Sequence, residues 1–209
     1  MNSIDTLTLE VADVESARAF YDAAFGALPI ELRASDSATS GFRGYSVSLV
    51  VSQPRHVRAV FDAAVAAGAT VLKPVTRSLW GVGAVVQAPD GTIWKAVTQS
   101  KKDTSPATGR PEVDEVVLLL GVGDVKASKA FYVDKGLTVG KSFGGKYAEF
   151  EAPAGSVKLA LYPRKAAAKD AGVPADGSGS HRLAIRSGAG SFTDPDGYAW
   201  ESVEARQDA

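Results

Sequence analysis

From Thr6 to Val11 apolar and polar positions alternate: Leu7, Leu9 and Val11 share one parity, and Thr6, Thr8 and Glu10 the other. A period of two is that of a strand with one face buried. The period then lengthens. Val14, Ala17 and Tyr21 fall at i, i+3 and i+7 on one helical face, and Gly26 ends the run. Asp13 stands at the N-cap, where a carboxylate accepts free backbone N–H groups. A further strand is predicted over 45–51, with Ser46 and Ser48 on the face opposite Val47 and Leu49. It leads into a helix opened by Pro54, striped by Val57, Val60, Phe61, Ala64 and Val65, and closed at Gly68. Strands follow at 69–73, 83–88 and 92–97.

The pattern then repeats. The strand and Asp13-Val14 recur at Val113 to Val125 with Asp124, and Phe20-Tyr21 recurs as Phe131-Tyr132. Pro89-Asp90-Gly91 with Trp94 recurs as Pro195-Asp196-Gly197 with Trp200. The offset shrinks along the chain, so insertions and deletions separate two related halves. The stretch 100–111 is polar, holds two prolines and has no periodicity, which makes it a linker. Two domains, 1–99 and 112–209, are therefore expected. In the second, strands are predicted at 137–143, 146–151, 156–162, 181–185 and 198–204. A short helix is predicted over Arg164–Ala171, and 173–180 reads as a Gly/Ser/Pro loop.

Composition narrows the chemistry. The 209 residues include no Cys and only two His, His56 and His181. That excludes a disulfide framework, zinc fingers, iron–sulfur clusters and a thiol nucleophile. With 23 basic against 24 acidic residues, the chain lacks the positive field that nucleic-acid binding needs. The longest apolar stretch, Val116 to Leu120, is too short to cross a bilayer. No export signal opens the sequence, so a reducing cytoplasm is the expected setting.

The paired motifs resemble the vicinal oxygen chelate superfamily, which includes glyoxalase I, bleomycin-resistance proteins, fosfomycin-resistance enzymes and extradiol dioxygenases. The likeness is carried by Asp13-Val14 with Ala19-Phe20-Tyr21 and by Asp124-Val125 with Ala130-Phe131-Tyr132. The closing Pro-Asp-Gly turns, each with Trp three residues on, and Ala66-Ala67-Gly68-Ala69 before a strand add to it. The resemblance implies an α+β fold of tandem βαβββ-type modules. Curved mixed sheets would form bowl-shaped cavities, with helices on the outer faces. The first copy looks short of strands in its first module, and the second lacks its second module's helix.

In metal-dependent relatives a first-strand His and a last-strand Glu point into the bowl. By position, the resemblance puts Thr6, Ser46 and Val117 in the His slots and Lys95 in one Glu slot; only Glu201 keeps a carboxylate. His181 lies near the remaining slot, or Arg182 takes it by parity. A divalent cation needs several such ligands, so no metal and no cofactor are expected.

The reading that follows is metal-independent binding of a small organic ligand, closest to the bleomycin-resistance branch, with no nucleic-acid or membrane partner. Thr6, Thr8, Ser46, Ser48 and Lys95 are the candidate polar contacts, Phe42 and Trp80 the candidate stacking rings, and His181 and Glu201 the lining of the second half. A homodimer is compatible with the resemblance. Two other classes stay open. One is a lyase or isomerase with Glu201 as general base, Lys95 or His181 steadying an enolate, and a divalent metal on Glu201 and His181 as a variant. The other is a structural or partner-binding protein, whose bowls would be filled by its own side chains.

Overall fold

In the computed structural model, residues 2–104, 106 and 111–203 are described. The first half runs β1 (Ile4–Val11), α1 (Val14–Ala24), β2 (Ile30–Ala34), β3 (Thr39–Gly41), β4 (Tyr45–Val50), α2 (Pro54–Ala66), β5 (Thr70–Ser78), β6 (Gly81–Gln87) and β7 (Ile93–Thr98). The second opens with β8 (Glu115–Val122), α3 (Val125–Asp134), β9 (Val139–Ser142), β10 (Ala148–Phe150) and β11 (Val157–Pro163). It closes with α4 (Arg164–Ala171), β12 (Gly177–Gly179), β13 (Leu183–Ser187), β14 (Phe192–Thr193) and β15 (Ala199–Ser202).

The strand boundaries follow the alternation, and the helices begin where it stops. Asp13 accepts the Ser16 N–H at 3.0 Å, and Asp124 accepts those of Lys126 and Ala127 at 2.8 and 3.2 Å. The alternation leaves four short strands unread, β2, β3, β14 and β12, the last within the stretch expected as a loop. β3 and β12 pair only with each other. Of the expected linker, 105 and 107–110 lie outside the described residues, as does 204 at the end of the last predicted strand. The linker's first part docks on the start of α2: Asp103 accepts the Arg55 N–H and Gln53 accepts that of Thr104, both at 2.7 Å.

The halves interleave in one large sheet, ordered β14-β15-β13-β1-β11-β8-β4-β7-β6-β5. β10 and β9 continue outward from β11, and β2 lies beside β1. Thus β1 pairs antiparallel with β13, Leu7 opposite Ile185, although 178 positions of chain could have kept them apart. Equally, β4 pairs antiparallel with β8, Val47 opposite Leu118. Each half of the sheet is therefore built from both halves of the chain.

The apolar parity forms the core. Leu7, Leu9, Val47, Leu49, Leu118, Leu120 and Ile185 are fully buried in it, together with Trp94 and Trp200. The repeated Tyr fastens each helix to a closing turn. The Tyr21 hydroxyl donates to Asp90 at 2.5 Å and its ring lies 5.5 Å from Trp94. The Tyr132 hydroxyl donates to Asp194, with its ring 5.2 Å from Trp200. Burial, then the facing carboxylate, pushes both phenols upward. A turn, a helix and a strand are locked by one residue.

Candidate functional site

The polar parity of the outer arc, β2-β1-β13-β15, forms the first concave face. Register places Thr6 opposite Arg186, Thr8 opposite Ala184 and Glu31, and Arg186 opposite Glu201, so these side chains share one side. β2 and β15 are separated by β1 and β13, which in a flat sheet would put them about 14 Å apart. Yet Arg33 Nη2 lies 2.8 Å from Glu201 Oε1. The two long side chains therefore reach across β1 and β13 toward each other. A second strap joins the same arc: Arg186 Nη1 donates to both Glu31 oxygens at 2.8 Å. Glu10 stands 3.6 Å from Arg33.

Beneath these straps is a cleft of about 530 Å³ lined by Thr8, Glu31, Leu32, Arg33, Arg186, Ser191, Glu201 and Ser202. Thr8 is only 4% exposed, and its Oγ1 has no protein partner. A buried hydroxyl without a hydrogen bond costs about 1–3 kcal/mol. The straps are partly solvated, the Arg33 and Glu201 side chains being 42% and 37% exposed, so each contributes at most about 1 kcal/mol. Such pairs are easily exchanged for a ligand's charges.

The polar parity of β4, β7, β8 and β11 forms a second concave face. Ser48 lies opposite both Lys95 and Val117, and Ser46 opposite Leu119. This face is covered by α4, whose Ala167, Ala168 and Ala171 pack in one apolar cluster with Leu119, Ala160 and Phe42. The Lys95 ammonium pairs with the Asp170 carboxylate. On the far side of the bowl Tyr147 donates to Glu149 at 2.5 Å, and burial with that hydrogen bond pushes its phenol up.

No protein-family model matches the chain, and no curated protein does. Solved structures do. Glyoxalase I from Zea mays superposes with a TM-score of 0.62 at 15% identity, over 98% of this chain and 92% of that one. A putative dioxygenase from Bacillus subtilis superposes with a TM-score of 0.55 at 12% identity, over 93% and 71%. The chain has the fold of glyoxalase I. At these identities the likeness carries the fold and not a reaction.

Within that fold the nine expected site residues separate into four groups. Thr6, Thr8 and Glu201 meet on the first concave face, and Ser46, Ser48 and Lys95 on the second. Phe42 and His181 sit at the joint between them and are engaged by the chain itself. Arg164 lies 5.2 Å from the Phe42 ring and donates to the Phe42 carbonyl at 2.6 Å. The His181 ring stacks on Tyr198, centroids 4.0 Å apart. Its Nδ1 and Nε2 face the carbonyl oxygens of Arg43 and Asp196 at 2.5 and 3.2 Å. A neutral imidazole carries one N–H and can satisfy only one of these at a time. His181 does not line the first cleft, so it is not brought to Glu201. Trp80, 83% exposed, stands at the turn between β5 and β6 and faces neither bowl's lining.

Three charged residues of the first face escaped sequence reasoning, Glu31, Arg33 and Arg186, as did Leu32, Ser191 and Ser202 of the cleft. The signal was present in Ile30-Glu31-Leu32-Arg33, a four-residue alternation. It is too short to distinguish from a loop without its partner β1.

The residues of this fold's bowl do not fit a divalent metal. Where ligands would converge, the first face offers Thr6, Thr8, Glu31 and Glu201, and each glutamate is already paired with an arginine, whose guanidinium repels a cation. Among the described residues, no three His, Cys, Asp or Glu side chains are grouped to hold an ion. No helix of the described residues is long and apolar enough to cross a membrane.

Proposed function

We propose that the protein binds a small polar organic molecule in the cleft between β2 and β15, without a metal. The observation that carries this reading is Thr8: a buried, unpartnered hydroxyl in a cleft spanned by two arginine–glutamate pairs. A ligand with an anionic group takes over Arg33 or Arg186 from its glutamate, and a hydrogen-bonding group reaches Thr8 Oγ1. Charge-assisted bonds of that kind are stronger than neutral ones.

The reading is tested by thermal shift against a panel of small organic acids, with and without EDTA. Ligands that raise Tm should do so equally in EDTA. In Arg33→Gln the best of them should bind about tenfold more weakly, the loss of one charge-assisted bond. A shift abolished by EDTA overturns the metal-free claim. A shift unchanged in both Arg33→Gln and Thr8→Val overturns the site.

A further inference from the structure

The second bowl is already occupied, by the chain itself. α4 is a poor helix on its own: eight residues, no side-chain N-cap, and well below the about 12–15 residues that marginal isolated helices need. Its place therefore rests on what it covers. Ala167, Ala168 and Ala171 turn their methyl groups into the bowl, while Lys165 and Lys169 face solvent.

Its C-terminal end is held by two lysines reaching from β5 and β7. Lys95 pairs with the Asp170 carboxylate, and Lys73 Nζ donates to the carbonyls of Lys169 and Asp170, both at 2.7 Å. Those last-turn carbonyls carry the helix's negative pole. To the two ammonium groups α4 thus presents a compact apolar body, one carboxylate and further oxygens at the same end. That is the chemistry of a small organic acid. Below it the Ser46 hydroxyl, 1% exposed, has no partner, so the helix fills the bowl's shape without satisfying its polar floor. Gly172, at φ 82, closes the C-terminal end as a left-handed cap, while Arg164 anchors the N-terminal end to Phe42 and Ala175.

We propose that the bowl of β4, β7, β8 and β11 is a second binding site, for small carboxylates with an apolar body. α4 is its displaceable internal occupant, Asp170 standing where the ligand's carboxylate goes. The site shares no lining residue with the β2/β15 cleft, so it stands or falls independently of the function proposed above.

Benzoate and phthalate serve as probes, with calorimetry for affinity and amide hydrogen exchange for the helix. Asp170→Asn should bind benzoate about tenfold more tightly than the unaltered protein, because Lys95 is no longer competed for. Lys95→Met in that background should remove the gain. In the unaltered protein, saturating phthalate should speed exchange across 164–171 while β8 and β11 stay protected. Equal benzoate affinity with and without Asp170, or a gain that survives Lys95→Met, overturns the proposal. Should a variant fail to fold, exchange in the unaltered protein decides: α4 protection unchanged at the highest phthalate concentration also overturns it.

Discussion

Gly44 lies at φ 91, and a Cβ built there would collide with the Tyr198 hydroxyl and the Arg164 guanidinium. Its carbonyl accepts from that hydroxyl at 2.6 Å and from the Gly121 N–H at 2.6 Å. Gly44→Ala combines left-handed strain with a clash inside the joint of the two bowls. Urea denaturation should show a loss of about 1–3 kcal/mol, and native-like stability would contradict this packing. Asp194 gives a pH signature. Burial pushes its carboxyl above the ordinary value of 3.8, although it accepts from Tyr132, Tyr198 and Asp196. Because the folded pKa is raised, the stability it contributes is complete below 3.8 and is lost as pH rises through the folded value. Asp194→Asn keeps the Oδ1 acceptor and cannot ionise. The stability difference between the two proteins should therefore move in the variant's favour as pH rises above 3.8. A difference that is flat with pH would refute the assignment.

At the scale of elements, the helix caps were legible because a cap is local chemistry. Asp124→Ala removes the acceptor for two N–H groups of α3, and equilibrium unfolding should register about 1 kcal/mol. β2 was not legible, since a five-residue edge strand with two charged residues gains its identity only from pairing with β1. Its straps are expected to matter for shape more than for stability. Glu31→Gln should change the unfolding free energy by less than about 1 kcal/mol, measured by urea melts, because its partner Arg186 is near solvent. α4 was legible as a helix but not as the cover of a bowl. Its alanines read as helix formers, and nothing in their spacing says which sheet face they meet.

The whole molecule is held together across the repeat. β1 with β13 and β4 with β8 each join one half to the other, and their apolar faces meet in one core. Residues 1–104 and 111–209, produced together from separate genes, should associate and co-purify. Either alone should aggregate, because β4 or β8 unpaired presents an edge with an apolar face. Soluble, folded single halves, seen by size exclusion and circular dichroism, would count against this account. Leu118→Ala tests the same seam from within: a side chain fully buried where the copies meet should cost about 2–5 kcal/mol in urea melts.

The sequence by itself determined the recurring motifs, the parity of the long strands, the caps and the scarcity of His and Cys. These are matters of spacing and residue type over a few positions. The tertiary structure alone decided which strands pair. It thereby set Arg33 and Glu201, 168 positions apart, in contact, and separated His181 from Glu201. It also decided that Ser46, Ser48 and Lys95 lie under α4 rather than in an open bowl. Pairing and coverage depend on the free energy of burying whole faces against each other, which no local window of sequence contains.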